Sequence, residues 1–152
     1  GKLRGMEIIN VPGATGWIDT NYTGKAEAAV EALGRTDLVY VHVEAPDEAG
    51  HGGLVQEKIR AIEDFDELVV GQILPRLEEL YEHFRVLFLP DHPTPLAKRT
   101  HTSNPVPFVL YDNLNPQKNS WKFTEREAQA TGVFVEEGHG LIKRLLDNAS
   151  AN

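Results

Sequence analysis

At 152 residues with 41% apolar content, the chain falls within the usual size of one compact domain and can bury a core. A net charge of -8, with no clustering of Lys or Arg, argues against nucleic acid as a partner. The absence of cysteine excludes a disulfide framework, a thiolate metal site and a Cys nucleophile, leaving oxygen and nitrogen as ligand atoms. No apolar run approaches the roughly 18 to 20 residues that cross a bilayer, and the N-terminus lacks a signal-peptide layout. The expectation is a cytoplasmic protein without a membrane partner, and the sequence leaves its oligomeric state undetermined.

Apolar periodicity alternates between short β-like runs and longer helical patterns, the signature of an α/β domain. Gly1-Lys2-Leu3-Arg4 leads at once into an apolar run, Met6 to Val11, which reads as a strand and suggests a chain that begins inside a larger fold. Pro12 to Gly16 is loop, and Gly24 to Leu33 has helical spacing that ends at Gly34. Leu38 to Val43 is a second strand. From Leu54 to about Tyr81 an i, i+3, i+4 apolar stripe marks an amphipathic helix, which Pro75 should break or kink. Arg85 to Leu89 and Val106 to Tyr111 are further strands, the latter with prolines only at its beginning. Asp112 to Ser120 is an exposed turn, and Glu125 to Thr131 and Gly138 to Asn148 are short helices.

Two segments pair a carboxylate with an imidazole directly after apolar runs: Asp47 and His51 after the second strand, Asp91 and His92 after the third. A further imidazole, His101, precedes the fourth. In open parallel sheets the loops at the carboxyl strand ends converge on a ligand. If the strands at Leu38 and Arg85 run parallel and the strand at Val106 returns antiparallel, all three loops meet at one edge. Asp47 and His51 are four apart, so one helical turn beginning near Pro46 puts both on one face. Gly50, Gly52 and Gly53 leave room for a metal or phosphate near the backbone, and Pro90, Pro93 and Pro95 stiffen the loop with Asp91 and His92. Asp and His in convergent loops suit a divalent cation that polarises an oxyanion. Taken singly, each pair equally fits ordinary turn chemistry. Glu44 and Glu48 either orient the imidazoles or are surface acids; His42 and His83 read as packing and surface residues, and His139 is unassigned.

At these residues the sequence resembles the archaeal-type cofactor-independent phosphoglycerate mutases of the alkaline phosphatase superfamily. The likeness runs through Val11 to Gly16, Asp19 to Tyr22, Val41 to His51, Leu89 to Leu96 and Arg99 to Phe108, and so covers essentially the whole chain. It implies a three-layer domain, a mainly parallel sheet with helices on both faces. It also implies two divalent ions, one held by Asp47, His51 and His101 and the second by Asp91 and His92. Mn²⁺ is typical, Mg²⁺, Co²⁺ or Zn²⁺ can serve, and no 2,3-bisphosphoglycerate is required. The family's reaction moves a phosphoryl group from a phosphoglycerate to a serine and back onto the neighbouring hydroxyl, interconverting 3- and 2-phosphoglycerate in glycolysis. The expected partner is a phosphorylated small molecule, with Lys25, Lys98 and Arg99 as candidate contacts for its phosphate or carboxylate.

The sequence departs from the family pattern in one respect that bears on mechanism. Neither the early serine-bearing loop nor the N-terminal Asp that completes the second metal site is found, and Ser103, Ser120 and Ser150 do not fit the nucleophile's place. The inserted second domain is missing too. Residues 1–152 are therefore expected to form a single domain, the C-terminal part of the metal-binding domain of such an enzyme, and to be inactive alone. Two rival readings remain: another phosphotransferase on the same scaffold, homoserine-kinase-like or phosphonate-processing, and a non-catalytic domain that binds a metal or a partner.

Overall fold

The computed structural model describes residues 5–117 and 120–147, which fall into two compact units. The first comprises Gly1–Tyr81 and Thr94–His101, the second Glu82–Pro93 and Thr102–Asn152.

In the first unit, helix α1 spans Tyr22–Leu33. The Asn21 side chain caps it by accepting from the Gly24 N–H at 2.8 Å, so the helix starts two residues before the expected Gly24 and ends, as expected, at Gly34. Helix α2 is Ala45–Gly52, with Pro46 in its first turn and Gly53 as a left-handed cap at φ 68°. Helix α3, Val55–Phe65, passes through a π-helical turn, Asp66–Val70, into α4, Gly71–Leu80. The expected break at Pro75 does not occur, because the helix continues through it to Leu80. The irregularity lies one turn upstream, where the Gly71 N–H reaches the Asp66 carbonyl and the register is offset before the proline is met. Tyr22, Ala45, Ala61 and Val69 form the core, with Ile18, Val41, Val43, Phe65, Leu68 and Ile73 packed on it.

The segments Met6–Val11 and Leu38–Val43, expected as strands, have no ladder among the described residues. Burial nevertheless alternates from Tyr40 to Glu44 as it does along a strand. An extended chain becomes a strand only when a neighbouring backbone accepts its hydrogen bonds. No described residues provide that neighbour, so the expected parallel pairing is not formed.

The second unit contains the one sheet among the described residues, β1, Arg85–Phe88, antiparallel to β2, Val109–Asp112. The antiparallel return is as expected, but β2 begins three residues late. Pro105 and Pro107 cannot donate to a ladder, and pairing starts after them, with Phe88 opposite Val109 and Arg85 opposite Asp112. Helix α5, Glu125–Ala130, a 3₁₀ turn, Gly138–Gly140, and helix α6, Leu141–Leu146, follow. Asn148 at the end of the expected last helix, and Lys118 and Asn119 in the expected turn, lie outside the described residues. No helix among the described residues is long and apolar enough to cross a membrane.

Candidate metal centre

Helix α2 is built to hold two ligands on one face. Ala45 and Ala49 are fully buried against the core side. Asp47 and His51 are each offset from them by two residues, about 200° around a helix of 3.6 residues per turn. The alanine face therefore goes in and the Asp-His face comes out. Asp47 sits in the first turn, where the unsatisfied N–H groups attract negative charge.

Three side chains converge there. The Nε2 atoms of His51 and His101 lie 3.0 Å apart, and each lies 3.4 Å from a carboxylate oxygen of Asp47, Oδ2 for His51 and Oδ1 for His101. All three residues belong to the first unit. Cation–ligand bonds of about 2.0–2.2 Å at angles between right and tetrahedral separate ligand atoms by about 3 to 3.5 Å. The spacing is that of a cation's coordination shell, so the residues present fit a divalent metal, and the donor set of one carboxylate and two imidazoles suits Mn²⁺ or Zn²⁺ alike. His51 Nδ1 is 3.0 Å from the Arg99 carbonyl. A carbonyl only accepts, so the ring proton sits on Nδ1 and Nε2 presents a lone pair to the centre.

Asp91 and His92 lie in the second unit. The ring Nε2 of His92 is 3.4 Å from Asp91 Oδ2, and the His92 N–H donates to Asp91 Oδ1 at 3.1 Å. Asp91 is exposed, its side chain 61% accessible against 24% for Asp47. Asp47, His51 and His101 are the one group of three or more such ligands among the described residues.

Of the expected substrate contacts, Lys25 is partly buried and donates to the His42 carbonyl at 2.8 Å. Burial lowers its pKa, with Glu44 opposing that shift. Lys98 and Arg99 are exposed on the loop that leads to His101. Ser103 and Ser120 are exposed; Ser150 lies outside the described residues. His42 is exposed and stacks on the exposed Tyr40, so it is not the packing residue expected, whereas His83 is a surface residue as expected and pairs with Asp112 at 3.3 Å. His139 is on the surface, 3.7 Å from Glu137.

The glycines of α2 do not play the expected part. A Cβ at Gly50 would lie 2.7 Å from the Thr94 carbonyl oxygen and 2.8 Å from Lys58 Nζ, and one at Gly53 would lie 2.5 Å from Arg99 Nε. At Gly52 it would lie 3.0 Å from the Leu54 side chain. The space that the sequence suggested for a metal or phosphate is filled by the protein's own atoms: Gly50 and Gly53 let Thr94 and Arg99 of the 94–101 segment approach closely, and Gly52 meets Leu54.

Several residues that hold the site were not legible as such. Thr94 donates its hydroxyl to Asp47 Oδ1. Lys58 Nζ donates to the carbonyls of Pro46 at 2.9 Å and Thr94 at 3.0 Å. Arg99 acts through its carbonyl, at a backbone φ of 52° that is unusual outside glycine, and it is this carbonyl rather than Glu44 or Glu48 that meets His51 Nδ1. Main-chain roles leave almost no trace in side-chain identity; only Gly50, as a mark of close approach, could have pointed to them.

The model of the metalloenzyme superfamily matches residues 1–145. The chain belongs to the metalloenzyme superfamily. As a member of that superfamily, it is 50% identical over 148 residues to a probable 2,3-bisphosphoglycerate-independent phosphoglycerate mutase of Geobacter sulfurreducens, covering 97% of this chain and 37% of that protein. It is 53% identical over 146 residues to a 2,3-bisphosphoglycerate-independent phosphoglycerate mutase of Methanothrix thermoacetophila, covering 96% and 37%. Among solved structures, the PH0037 protein from Pyrococcus horikoshii superposes with a TM-score of 0.77 at 30% identity, over 94% of this chain and 42% of that one. This member of the metalloenzyme superfamily thus has an alkaline-phosphatase-like fold and spans just over a third of the length of the curated relatives it matches.

Proposed function

We propose that this chain is the C-terminal, ligand-bearing part of a cofactor-independent phosphoglycerate mutase, which interconverts 3- and 2-phosphoglycerate through a phosphoserine in the cytoplasm. The observation that carries the reading is the Asp47, His51 and His101 cluster, set in a chain about half identical to proteins that bear that name. In this reading residues 1–152 belong to one three-layer domain. Met6–Val11 and Leu38–Val43 are strands of its mainly parallel sheet, which accounts for the alternating burial at Tyr40–Glu44.

Asp47, His51 and His101 would hold one divalent ion, Mn²⁺ by preference, and Asp91 and His92 would contribute to a second. Such ions supply positive charge against the transferring phosphoryl group. The chain's own residues prepare for it. The carboxylate of Asp47 brings negative charge, His51 keeps its proton on Nδ1 against Arg99, and Lys25, Lys98 and Arg99 are cations available to the phosphate or carboxylate of the substrate. None of Ser103, Ser120 and Ser150 serves as nucleophile in this reading, so the 152 residues assayed alone should not turn over 3-phosphoglycerate.

The test is an assay for 2-phosphoglycerate formed from 3-phosphoglycerate with Mn²⁺, made on a longer polypeptide that supplies the nucleophilic serine. Turnover that disappears with Asp47→Ala is the expected result. Turnover by the 152 residues alone, or a longer enzyme indifferent to Asp47→Ala, would overturn the reading.

A further inference from the structure

Thr94 stands out among the residues around the cluster because both its polar groups are engaged and neither faces solvent. It is 5% exposed. Its hydroxyl donates to Asp47 Oδ1 and its carbonyl accepts from Lys58 Nζ at 3.0 Å. The same Lys58 ammonium holds the Pro46 carbonyl, one residue before Asp47, at 2.9 Å. The Thr94 methyl approaches the backbone of α2 at Gly50, where a Cβ would lie 3.0 Å from Thr94 Cγ2. Flanking prolines at 93 and 95 restrict the backbone on either side.

We propose that Thr94 is a positioning residue for Asp47: its hydroxyl engages Oδ1 and fixes the orientation in which the carboxylate would meet the cation. The inference rests on the metal-centre reading above. A free carboxylate rotates about its Cβ–Cγ bond and offers either oxygen, or both, to a cation. A hydrogen bond from a buried hydroxyl removes that freedom. The carboxylate is then held with Oδ2 3.4 Å from His51 Nε2 and Oδ1 3.4 Å from His101 Nε2, and the Arg99 carbonyl fixes the orientation of His51. Both α2 ligands are then held from the 94–101 segment, which also carries the third ligand, His101. Such supporting contacts contribute about 10- to 100-fold in metal affinity.

The experiment is calorimetric titration of the 152-residue chain with Mn²⁺, comparing Thr94→Val with wild type and Thr94→Ala with Thr94→Ser. Each pair differs chiefly in the hydroxyl, and the second keeps the test available should the valine variant fail to fold by circular dichroism. The expected result is Mn²⁺ affinity about 10- to 100-fold lower in Val and Ala, with Ser within about threefold of wild type. Equal affinity in Thr and Val, or in Ser and Ala, would overturn the positioning role while leaving the metal centre intact. Loss of affinity in Ser as large as in Ala would also overturn it, since packing of the methyl group would then account for the effect. A wild-type chain that takes up no Mn²⁺ would overturn the metal-centre reading and this inference with it.

Discussion

The two Asp-His pairs of this chain have the same composition and very different surroundings. Asp47 and His51 stand one turn apart on a helix whose opposite face is fully buried, and each is held by a partner distant in sequence, Thr94 for the carboxylate and Arg99 for the imidazole. Asp91 and His92 are adjacent in a loop, with His92 Nε2 3.4 Å from Asp91 Oδ2 and the His92 N–H donating to Asp91 Oδ1. The first pair is therefore oriented by the fold and gains a third ligand, His101, whereas the second meets within one loop, as neighbours in sequence. A pair of residue types names a chemistry; long-range hydrogen bonds decide whether the pair is ready for it.

The most severe test of that contrast is ligand removal. Asp47→Ala should weaken Mn²⁺ binding by the isolated chain more than about 100-fold, beyond the effect of any supporting contact. Asp91→Ala should leave the titration within about threefold of wild type. Equal losses from the two variants would erase the distinction.

Next in size is the backbone fit on which the first site depends. Gly50→Ala places a methyl 2.7 Å from the Thr94 carbonyl oxygen and should destabilise the fold by about 3 kcal/mol. Gly138→Ala, with nothing within 4 Å of the new methyl, should stay within about 0.5 kcal/mol of wild type. Urea unfolding of both variants would check this, and a neutral Gly50→Ala would show that the loop can move off α2.

Lys58→Met removes the ammonium that ties the Pro46 and Thr94 carbonyls together and should cost about 2 kcal/mol in the same assay. The lysine is worth this much because its partners are partly buried carbonyls that it draws together.

The smallest effect concerns charge in the second unit, where the better-built carboxylate is Asp112 rather than Asp91. Arg85 Nε donates to Asp112 Oδ2 at 2.7 Å, and this hydrogen bond is the main cause that holds the Asp112 pKa below its ordinary value of 3.8. The folded state thus binds this proton less readily than the unfolded chain. The stabilisation is fully present above pH 3.8 and is lost as pH falls through the depressed folded value. Asp112→Asn should flatten the acid limb of the stability–pH curve, measured by urea unfolding.

The sequence made much of this legible for reasons that can be named. Asp47 and His51 at four-residue spacing behind Pro46 required only one helical turn, and the turn forms. The proline-rich stretch before Val106 ruled out a crossover helix, and β2 returns antiparallel. Local steric rules reach their limit where partners are distant. Pro75 was expected to break or kink a helix that runs through it without a break, after a π turn at Asp66–Val70, and Met6–Val11 and Leu38–Val43 have strand-like composition without a neighbouring backbone among the described residues. The glycines of α2 announced a close approach correctly, but what approaches is Thr94, Lys58 and Arg99 rather than a ligand.

By itself the sequence determined the kinds of ligand atom available, the helix that pairs Asp47 with His51, and the resemblance that ties those motifs to phosphoryl transfer. These depend on residue identity and on spacings of a few positions, which short-range geometry converts directly into structure. The resemblance grouped His101 with the pair, but only the tertiary structure decided that it stands 3.0 Å from His51, that Arg99 contributes a carbonyl, and that Thr94 claims one oxygen of Asp47. Those contacts join positions about 50 residues apart, and packing, which has no local code, brings them within a bond length of one another.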